Sequence, residues 1–462
     1  MVKRILLVLV SGVILAGLSG CNKPATVNKV IEDEPERLLD FRKIVQQAKD
    51  EVFPTVVYIK CIREDHTQGK KMSQEVGGSG VIISVDGEVL TNWHVVDKAL
   101  EVRCLLYDGR AMDAEVLGTD KDADLALLKL DKGEDEQVPF ANVGDSSKLR
   151  EGDFVMAMGA PLGLSRSVSI GIISCTDRYL PDDSQYSVWL QTDASISPGN
   201  SGGPLVNTDG EVVGINTLGV IFGGDMGFSI PSNTVKMLVP QLREHGEVKW
   251  SWLGLQLQAL RDFEKDIYFD GDQGVIVAET DPESPARRAG LQPRDRIMSI
   301  AGRDVRCLTQ EDLPAIRRTI GMLEKGEIVT LQYSRGGEIR TVELKPTDKG
   351  AVEGEELDCP RWDMTVKEIN RFDKPDLYFY RNEGVFIYGV KYPGNARDAG
   401  LRENDIILKI DGEKVKTLDD VSRIRKELVD KVDEKSKVVV SVLRKGLLRQ
   451  CVLDYSRDYE KE

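Results

Sequence analysis

The chain has 462 residues, 41% of them hydrophobic and 30% charged, with a formal net charge of −15 at pH 7. That length is too great for one core and suggests about three domains, while the apolar fraction is ordinary for a folded globular chain. The acidic balance argues against a nucleic-acid partner, which needs a basic face. Seven cysteines without a C-x-x-C or a His/Cys cluster argue against a metal site.

Lys3 and Arg4 precede an apolar run, Ile5–Leu18. The run is short for a membrane span, which needs roughly 20 residues, so residues 1–20 read as an export signal. It ends Leu18-Ser19-Gly20-Cys21, which resembles the lipobox of bacterial lipoproteins. In that family the chain is cut before the cysteine, whose thiol and new amine then carry lipid. The resemblance implies lipidation at Cys21, and Asn22 rather than Asp beside it favours the outer membrane; an uncleaved anchor helix is the alternative. Residues 21–33 are polar and read as a tether. The other cysteines, Cys61, Cys104, Cys175, Cys307, Cys359 and Cys451, are scattered. An exported compartment permits disulfides, but no pairing can be read.

From Glu34, Leu38, Phe41, Val45, Ala48 and Val52 recur three and four apart, one apolar helical face that stops at Pro54. Short β-rich runs follow at 55–62, 78–84, 87–93, 125–130, 153–159, 168–174 and 211–219, separated by Gly, Asp and Pro turns. This is the pattern of an all-β barrel or sandwich. A last helix begins near Pro231, so residues 34–246 read as one domain. An internal repeat comes next: Gly274–Val305 and Gly384–Val415 align at a constant offset of 110 residues, sharing the pattern AR.AGL....D.I..I.G..V. A unit of that length is a duplicated domain rather than a solenoid repeat. The copies occupy 251–345 and 359–462, and the acidic stretch 346–358 between them reads as a linker.

Three histidines limit the search for a general base. His66 lies in a polar loop and His245 at the domain boundary, whereas His94 follows an apolar strand. A lone histidine is more often structural or solvated, but His94 has the companions that serine chemistry requires. Asp124 opens the apolar run Leu125–Leu130 and is expected to be partly buried, where it can accept a hydrogen bond from the far ring nitrogen and stabilise the imidazolium. Asp120 and Asp122 precede it in a charged stretch expected to be exposed, and their nearness leaves the identity of the acid ambiguous. Ser-Pro-Gly-Asn-Ser-Gly-Gly-Pro-Leu, residues 197–205, has the composition of a turn. It also suits a nucleophile, Ser201, whose neighbours leave room for substrate and aim backbone N–H groups at an oxyanion. Gly199–Gly203 satisfies G-x-S-x-G, but that elbow needs a following helix and the order serine, acid, histidine. Here a hairpin centred on Asp209-Gly210 follows, and only His245 lies downstream. The order His94, Asp124, Ser201 is that of chymotrypsin-like proteases.

With these motifs in order, the chain resembles the HtrA/Deg serine proteases over nearly its whole exported length. The matching stretches are 78–96, 122–130, 143–164, 168–174, 191–207, 214–217 and 227–233. The resemblance implies a mostly β chain: a chymotrypsin-like double β-barrel protease domain followed by two α+β PDZ domains. It implies His94, Asp124 and Ser201 as the catalytic triad, Gly199 and Ser201 as oxyanion donors, and Ser195, Ile196 and Asn216 at the substrate pocket. The absence of a carboxylate at Ser195 points to a small aliphatic residue before the cut. Asn200, where zymogen-type relatives carry an acid, implies regulation by loop ordering near residues 163–169 and 177–189 rather than by propeptide cleavage. Trp93, where relatives usually have a small residue or Asn, either narrows the cleft or packs behind its strand, packing being the commoner role for Trp. Trp252–Leu255 is similar to the carboxylate-binding loop of PDZ domains, which implies a site for C-terminal peptides at Leu253, Gly254 and Leu255. The second copy has no glycine in Arg361–Ile369 and carries Asp363, an acid that would repel a carboxylate; a scaffold or oligomer contact is expected there. The implied function is cleavage of misfolded or damaged envelope proteins by a lipid-anchored, periplasmic endopeptidase. The resemblance implies a homotrimer or larger assembly and no cofactor or metal. A holding chaperone and a signalling protease making one PDZ-triggered cut are the alternatives.

Overall fold

The structure is a computed structural model that describes residues 40–161, 166–181, 184–220, 226–263, 271–350 and 353–459, with 218–220 described by backbone alone. The expected export signal, Cys21 and the tether lie outside the described residues. Among those described, no helix is long and apolar enough to cross a membrane.

A helix, Phe41–Val52, carries the expected apolar face and buries Ala48 and Val52. Twelve strands then make two closed barrels. The first comprises β1 (Val56–Asp65), β2 (Met72–Ile82), β3 (Glu88–Thr91), β4 (Ala99–Leu105), β5 (Ala111–Asp120) and β6 (Leu125–Leu130), in the order β1-β2-β3-β6-β5-β4. The second comprises β7 (Phe154–Gly159), β8 (Ser167–Tyr179), β9 (Val188–Thr192), β10 (Pro204–Asn207), β11 (Val212–Val220) and β12 (Met226–Pro231), in the order β10-β11-β12-β9-β8-β7.

The apolar runs do not alternate with polar residues because several strands are buried on both faces. In β6, Ala126, Leu128 and Leu130 fill the first barrel, while Leu125 and Leu127 point into a second core. In β7, Val155 and Ala157 fill the second barrel, while Met156 and Met158 join that same second core. With side chains leaving a strand alternately on its two sides, one strand serves a barrel interior and the seam between barrels. The helix Ser232–His245 closes over this seam with Leu238 and Leu242. It ends at Gly246, whose φ of 76° suits a left-handed cap and whose N–H bonds to the Leu242 carbonyl. Arg243 on that helix pairs with Glu88 of β3 at 2.6 Å, and its hydrogen bond holds the Glu88 carboxyl below the usual range.

The two repeats match element for element at the sequence offset: strands 275–280 and 385–390, short helices 285–288 and 395–398, strands 296–300 and 406–410. Each carries the same buried pair. Asp295 is held by Arg335 and Asp405 by Arg444, and each arginine also donates to the glycine carbonyl, of Gly290 or Gly400, that ends the short helix.

Segment 346–358 is structured at both ends rather than acting as a bare linker. Thr347–Asp348 pairs with Ser251–Trp252, Lys349 bonds Asp122 of the first barrel at 2.5 Å, and Glu356–Cys359 is a strand of the second repeat's sheet. Glu356 also binds Lys98 of the first barrel at 2.5 Å and Lys367 of the second repeat at 3.3 Å. His66, read as a loop residue, is buried at this contact, its Nδ1 2.8 Å from Glu356. The six described cysteines are all free. Burial pushes the Cys104 and Cys359 thiols up to about 12, so both stay protonated and unreactive.

Asp120 departs from the sequence reading: it is 6% exposed. Its carboxylate accepts from the Trp250 indole and the Ala123 N–H, each at 2.7 Å, tying the first barrel to the start of the repeats. Burial, then the charge of Asp122, raises its pKa to about 7. The folded chain therefore holds this proton more tightly than the unfolded one. The resulting stability is fully present below about pH 4 and is lost as pH rises toward 7, by about 1.4 kcal/mol for each pH unit crossed. Asp120→Asn cannot ionise. Between pH 5 and pH 8 the unfolding free energy in urea is expected to shift in the variant's favour relative to wild type, by a few kcal/mol; a pH-independent difference would mean that Asp120 titrates normally.

Candidate active site

β3 runs out at Asn92, and the next four residues, Trp93–Val96, make a single helical turn. This turn brings His94 over Asp124, which sits at φ 52° in the tight turn before β6, a region that Asp tolerates better than most side chains. The turn is held by the Asp124 N–H on the Lys121 carbonyl at 3.1 Å and by Asn92 Nδ2 on the Asp124 carbonyl at 3.0 Å. His94 Nδ1 lies 2.9 Å from both carboxylate oxygens of Asp124, and the His94 backbone N–H donates to Oδ1 at 3.1 Å. The other ring nitrogen, Nε2, has no hydrogen-bond partner among the described residues. The second barrel supplies one more donor: the Thr217 hydroxyl on β11 bonds Asp124 Oδ2.

Ser201 stands across the seam, its Oγ donating to the carbonyl of the same Thr217 at 3.1 Å. Its loop is locked by backbone bonds from Asn200 to Ser197, Gly203 to Asn200 and Gly202 to Asn216, at 2.9, 3.0 and 2.8 Å. These leave the N–H groups of Gly199 and Ser201 without an acceptor among the described residues. Gly202, at φ 85°, has no room for a side chain: a Cβ there would strike the Ser79 carbonyl and the Thr91 hydroxyl.

Ser79 of β2, fully buried, joins the barrels at this point. Its N–H donates to the Ser201 carbonyl at 2.8 Å and its Oγ to the Gly199 carbonyl at 2.6 Å, while Oγ accepts from the Ala160 N–H at 2.8 Å. Neither Ser79 nor Thr217 was singled out from the sequence; each lies inside a strand, where a hydroxyl reads as incidental.

Of the expected pocket residues, Ser195 is exposed, and Ile196 is half-buried against Gly227. Asn216 is fully buried and does not line open space. Its amide donates to the Met158 and Pro204 carbonyls and accepts from Ser229 Oγ, so it braces β7, β10 and β12. Trp93 is half-buried with the Lys121 ammonium 5.1 Å from its ring centroid. Parts of the expected regulatory loops, 162–165 and 182–183, lie outside the described residues. What is described of the second loop is gripped by the first repeat: Arg318 donates to the Tyr186 carbonyl and Arg317 to the Tyr179 hydroxyl, each at 2.6 Å.

The repeats present a second candidate site. In the first, Leu255–Gln258 is the edge strand of its sheet, and the N–H groups of Leu253 and Gly254 have no acceptor among the described residues. Gly254, at φ 69°, packs so closely on Ser284 that a Cβ would collide. In the second repeat, Asp363 takes the equivalent left-handed position at φ 55°, and there the partner is Gly394, against which Asp363 packs. The Asp363 carboxylate is spent on the Asn395 N–H at 3.0 Å and Lys391 at 3.3 Å. The strand edge is spent too, because Glu356–Cys359 pairs along Met364–Glu368, and the helix Leu418–Asp430 packs on both strands.

Residues 78–215 match the trypsin-like peptidase domain family, and residues 251–345 and 364–453 each match the PDZ domain family. Two barrels meeting at a serine and a histidine–aspartate pair, followed by two PDZ domains, define a trypsin-like serine endopeptidase of modular build. The chain is 37% identical over 391 residues to a probable periplasmic serine endoprotease DegP-like of Halomonas elongata, covering 82% of this chain and 79% of that protein. It is also 37% identical over 371 residues to the protein of the same description from Marinomonas sp., covering 78% and 76%. Among solved structures it is similar to the HtrA-type protease AlgW with tripeptide, at TM-score 0.59 and 31% identity, over 66% of this chain and 97% of that one. The serine endoprotease from Yersinia pestis matches at TM-score 0.51 and 28% identity, over 66% and 98%. The chain belongs to the HtrA-type, DegP-like serine endoproteases.

Thr217→Val keeps the shape of residue 217 and removes the donor to Asp124. With a net hydrogen-bond worth of about 1–1.5 kcal/mol, kcat on unfolded casein is expected to fall about tenfold with KM little changed. An unchanged kcat would show that the Thr217 hydroxyl does not support the site.

Proposed function

We propose that the chain is an envelope endopeptidase that removes misfolded or damaged proteins, with His94, Asp124 and Ser201 as its catalytic triad. Ser201 Oγ leaves the Thr217 carbonyl, turns to His94 Nε2 and attacks the scissile carbonyl. The Oγ–C bond forms as the proton passes to His94, and the oxyanion is received by the N–H groups of Gly199 and Ser201. His94 then protonates the leaving amine as the C–N bond breaks. Water, deprotonated by the same imidazole, attacks the acyl ester, and His94 gives the proton to Ser201 Oγ as the C–Oγ bond breaks. Asp124 holds the imidazole in the tautomer with the proton on Nδ1 and stabilises the imidazolium. The observation that carries this reading is the His94–Asp124 contact at 2.9 Å on both oxygens, with Ser201 and Asp124 both bonded to Thr217.

Ile196 packed against Gly227, with no carboxylate at Ser195, favours a small aliphatic residue before the cut. The first PDZ domain, with its open strand edge, takes C-terminal peptides of the substrate at Leu253, Gly254 and Leu255. The second, with its edge already paired, acts as scaffold. Cys21 carries the lipid that tethers the periplasmic enzyme, preferentially to the outer membrane, and the enzyme works as a homotrimer or larger assembly.

Ser201→Ala and His94→Ala are each expected to lower the cleavage of unfolded casein by at least a thousandfold; cleavage surviving in Ser201→Ala would overturn the assignment. Peptide substrates with Val or Ala before the cut are expected to exceed those with Lys or Arg at least tenfold in kcat/KM. Growth with radiolabelled palmitate is expected to label the wild-type chain and to leave Cys21→Ser unlabelled.

A further inference from the structure

The open edge of the first PDZ domain does not face solvent alone. It forms one wall of a cavity of about 1030 Å³ whose opposite wall comes from the second PDZ domain. That wall is the segment between strands 364–368 and 385–390: Arg371, Phe372 and the helix Pro375–Tyr380. Arg371 reaches across to the first domain, where Nη1 is 3.3 Å from Asp281 Oδ2 and the guanidinium stacks 5.1 Å from the Trp252 ring centroid. Asp281 adjoins the carboxylate loop directly, its N–H donating to the Gly254 carbonyl at 2.9 Å.

This arrangement has an electrostatic consequence. A loop meant to receive a carboxylate has a carboxylate of its own beside it, and Arg371 of the other PDZ domain neutralises it. The second acid lining the cavity, Asp122, is already paired with Lys349. Arg317 contributes a further cation whose bonds go to neutral oxygens, the Tyr179 hydroxyl and the Gln185 carbonyl. Lys121, which also lines the cavity, is paired with Glu353. With these pairs set against each other, the balance inside the cavity is positive only while Arg371 is in place. Beyond the charges, Phe379 is 84% exposed at the mouth, its ring 5.5 Å from that of the half-exposed Tyr380, and Phe372 lines the same wall, so the second domain presents an exposed apolar patch there, the kind of surface that marks a binding site.

We propose that the peptide site is built by both PDZ domains. The first supplies the strand edge and the carboxylate loop; the second supplies Arg371, which makes the loop competent for a free carboxylate, and Phe379, which covers an apolar side chain of the incoming chain. The occupant is the C-terminal segment of an unfolded polypeptide ending in bulky apolar residues. This rests on the reading of the first PDZ domain as a C-terminal peptide site.

The test is fluorescence anisotropy on the full chain in the Ser201→Ala background. The probe is a fluorescein-labelled decapeptide ending Leu-Phe-Leu, as the free acid and as the C-terminal amide. Arg371→Ala is expected to weaken the free acid about tenfold and the amide by less than threefold. Adding Asp281→Asn to Arg371→Ala is expected to restore the free acid to within threefold of the parent, which a merely unfolded variant would not do. Phe379→Ser, at an exposed position that folding does not need, is expected to weaken both forms at least threefold. Wild-type affinity in both Arg371→Ala and Phe379→Ser, with binding lost in Gly254→Val, would overturn the shared site and leave the first-domain reading intact. Binding that survives Gly254→Val would overturn the first-domain reading itself.

Discussion

The seam between the two barrels is the constraint from which the site follows. Neither barrel holds the whole of the proposed triad: His94 and Asp124 belong to the first, Ser201 to the second. What fixes them relative to one another is a shared core, reached by alternate side chains of strands that also line a barrel interior. Two buried hydroxyls then set the fine register. Ser79 binds the serine loop from the first barrel, and Thr217 binds Asp124 from the second. Protein interiors are packed densely enough that a shift of one barrel would be felt at every one of these contacts, so the geometry is over-determined by groups that do no chemistry.

The two PDZ domains show how a few atoms leave one copy of a duplicated fold with an open strand edge and the other with a filled one. Their short helices and buried Asp–Arg pairs match one for one, and so do their sheets apart from the added edge strand Glu356–Cys359 of the second. At the tightest contact the small residue has changed sides: glycine against serine in the first, Gly254 on Ser284, and aspartate against glycine in the second, Asp363 on Gly394. There is space for only one side chain at that contact. Where the loop carries glycine, its N–H groups remain open. Where it carries aspartate, the carboxylate bonds the neighbouring helix, and the chain's own strand 356–359 occupies the edge. A strand edge already paired has nothing left to offer a peptide.

Charged groups rather than apolar surface join the second PDZ domain to the first barrel. Lys367, 2% exposed, is held by Asp373 at 2.7 Å and Glu356 at 3.3 Å, and Glu356 reaches Lys98. Buried pairs of this kind contribute little net stability but penalise any arrangement that leaves one member alone. They tie the second PDZ domain to the first barrel, and with it Arg371 beside Asp281 and the loop at residues 253–255.

The residue order and spacing of His94, Asp124 and Ser201, the glycine-rich setting of the serine, the barrel pattern and the 110-residue duplication were all legible in the amino-acid sequence. Each is a local property, carried by a short motif or by periodicity. What could not be read were relations between distant segments. Asp120 looked like a solvated charge until Trp250, far along the chain, was found capping it. Asn216 reads as a pocket residue, whereas its buried amide is spent on β7, β10 and β12. Stretch 346–358 looked like a linker because acidic, glycine-bearing composition describes a free chain, whereas here its carboxylates are matched by Lys98, Lys121 and Lys367 from other domains. Sequence alone determined which groups the enzyme has and in what order. Tertiary structure decided which are buried, which are paired and which edge stays open, because burial and pairing depend on partners that sequence separation does not reveal.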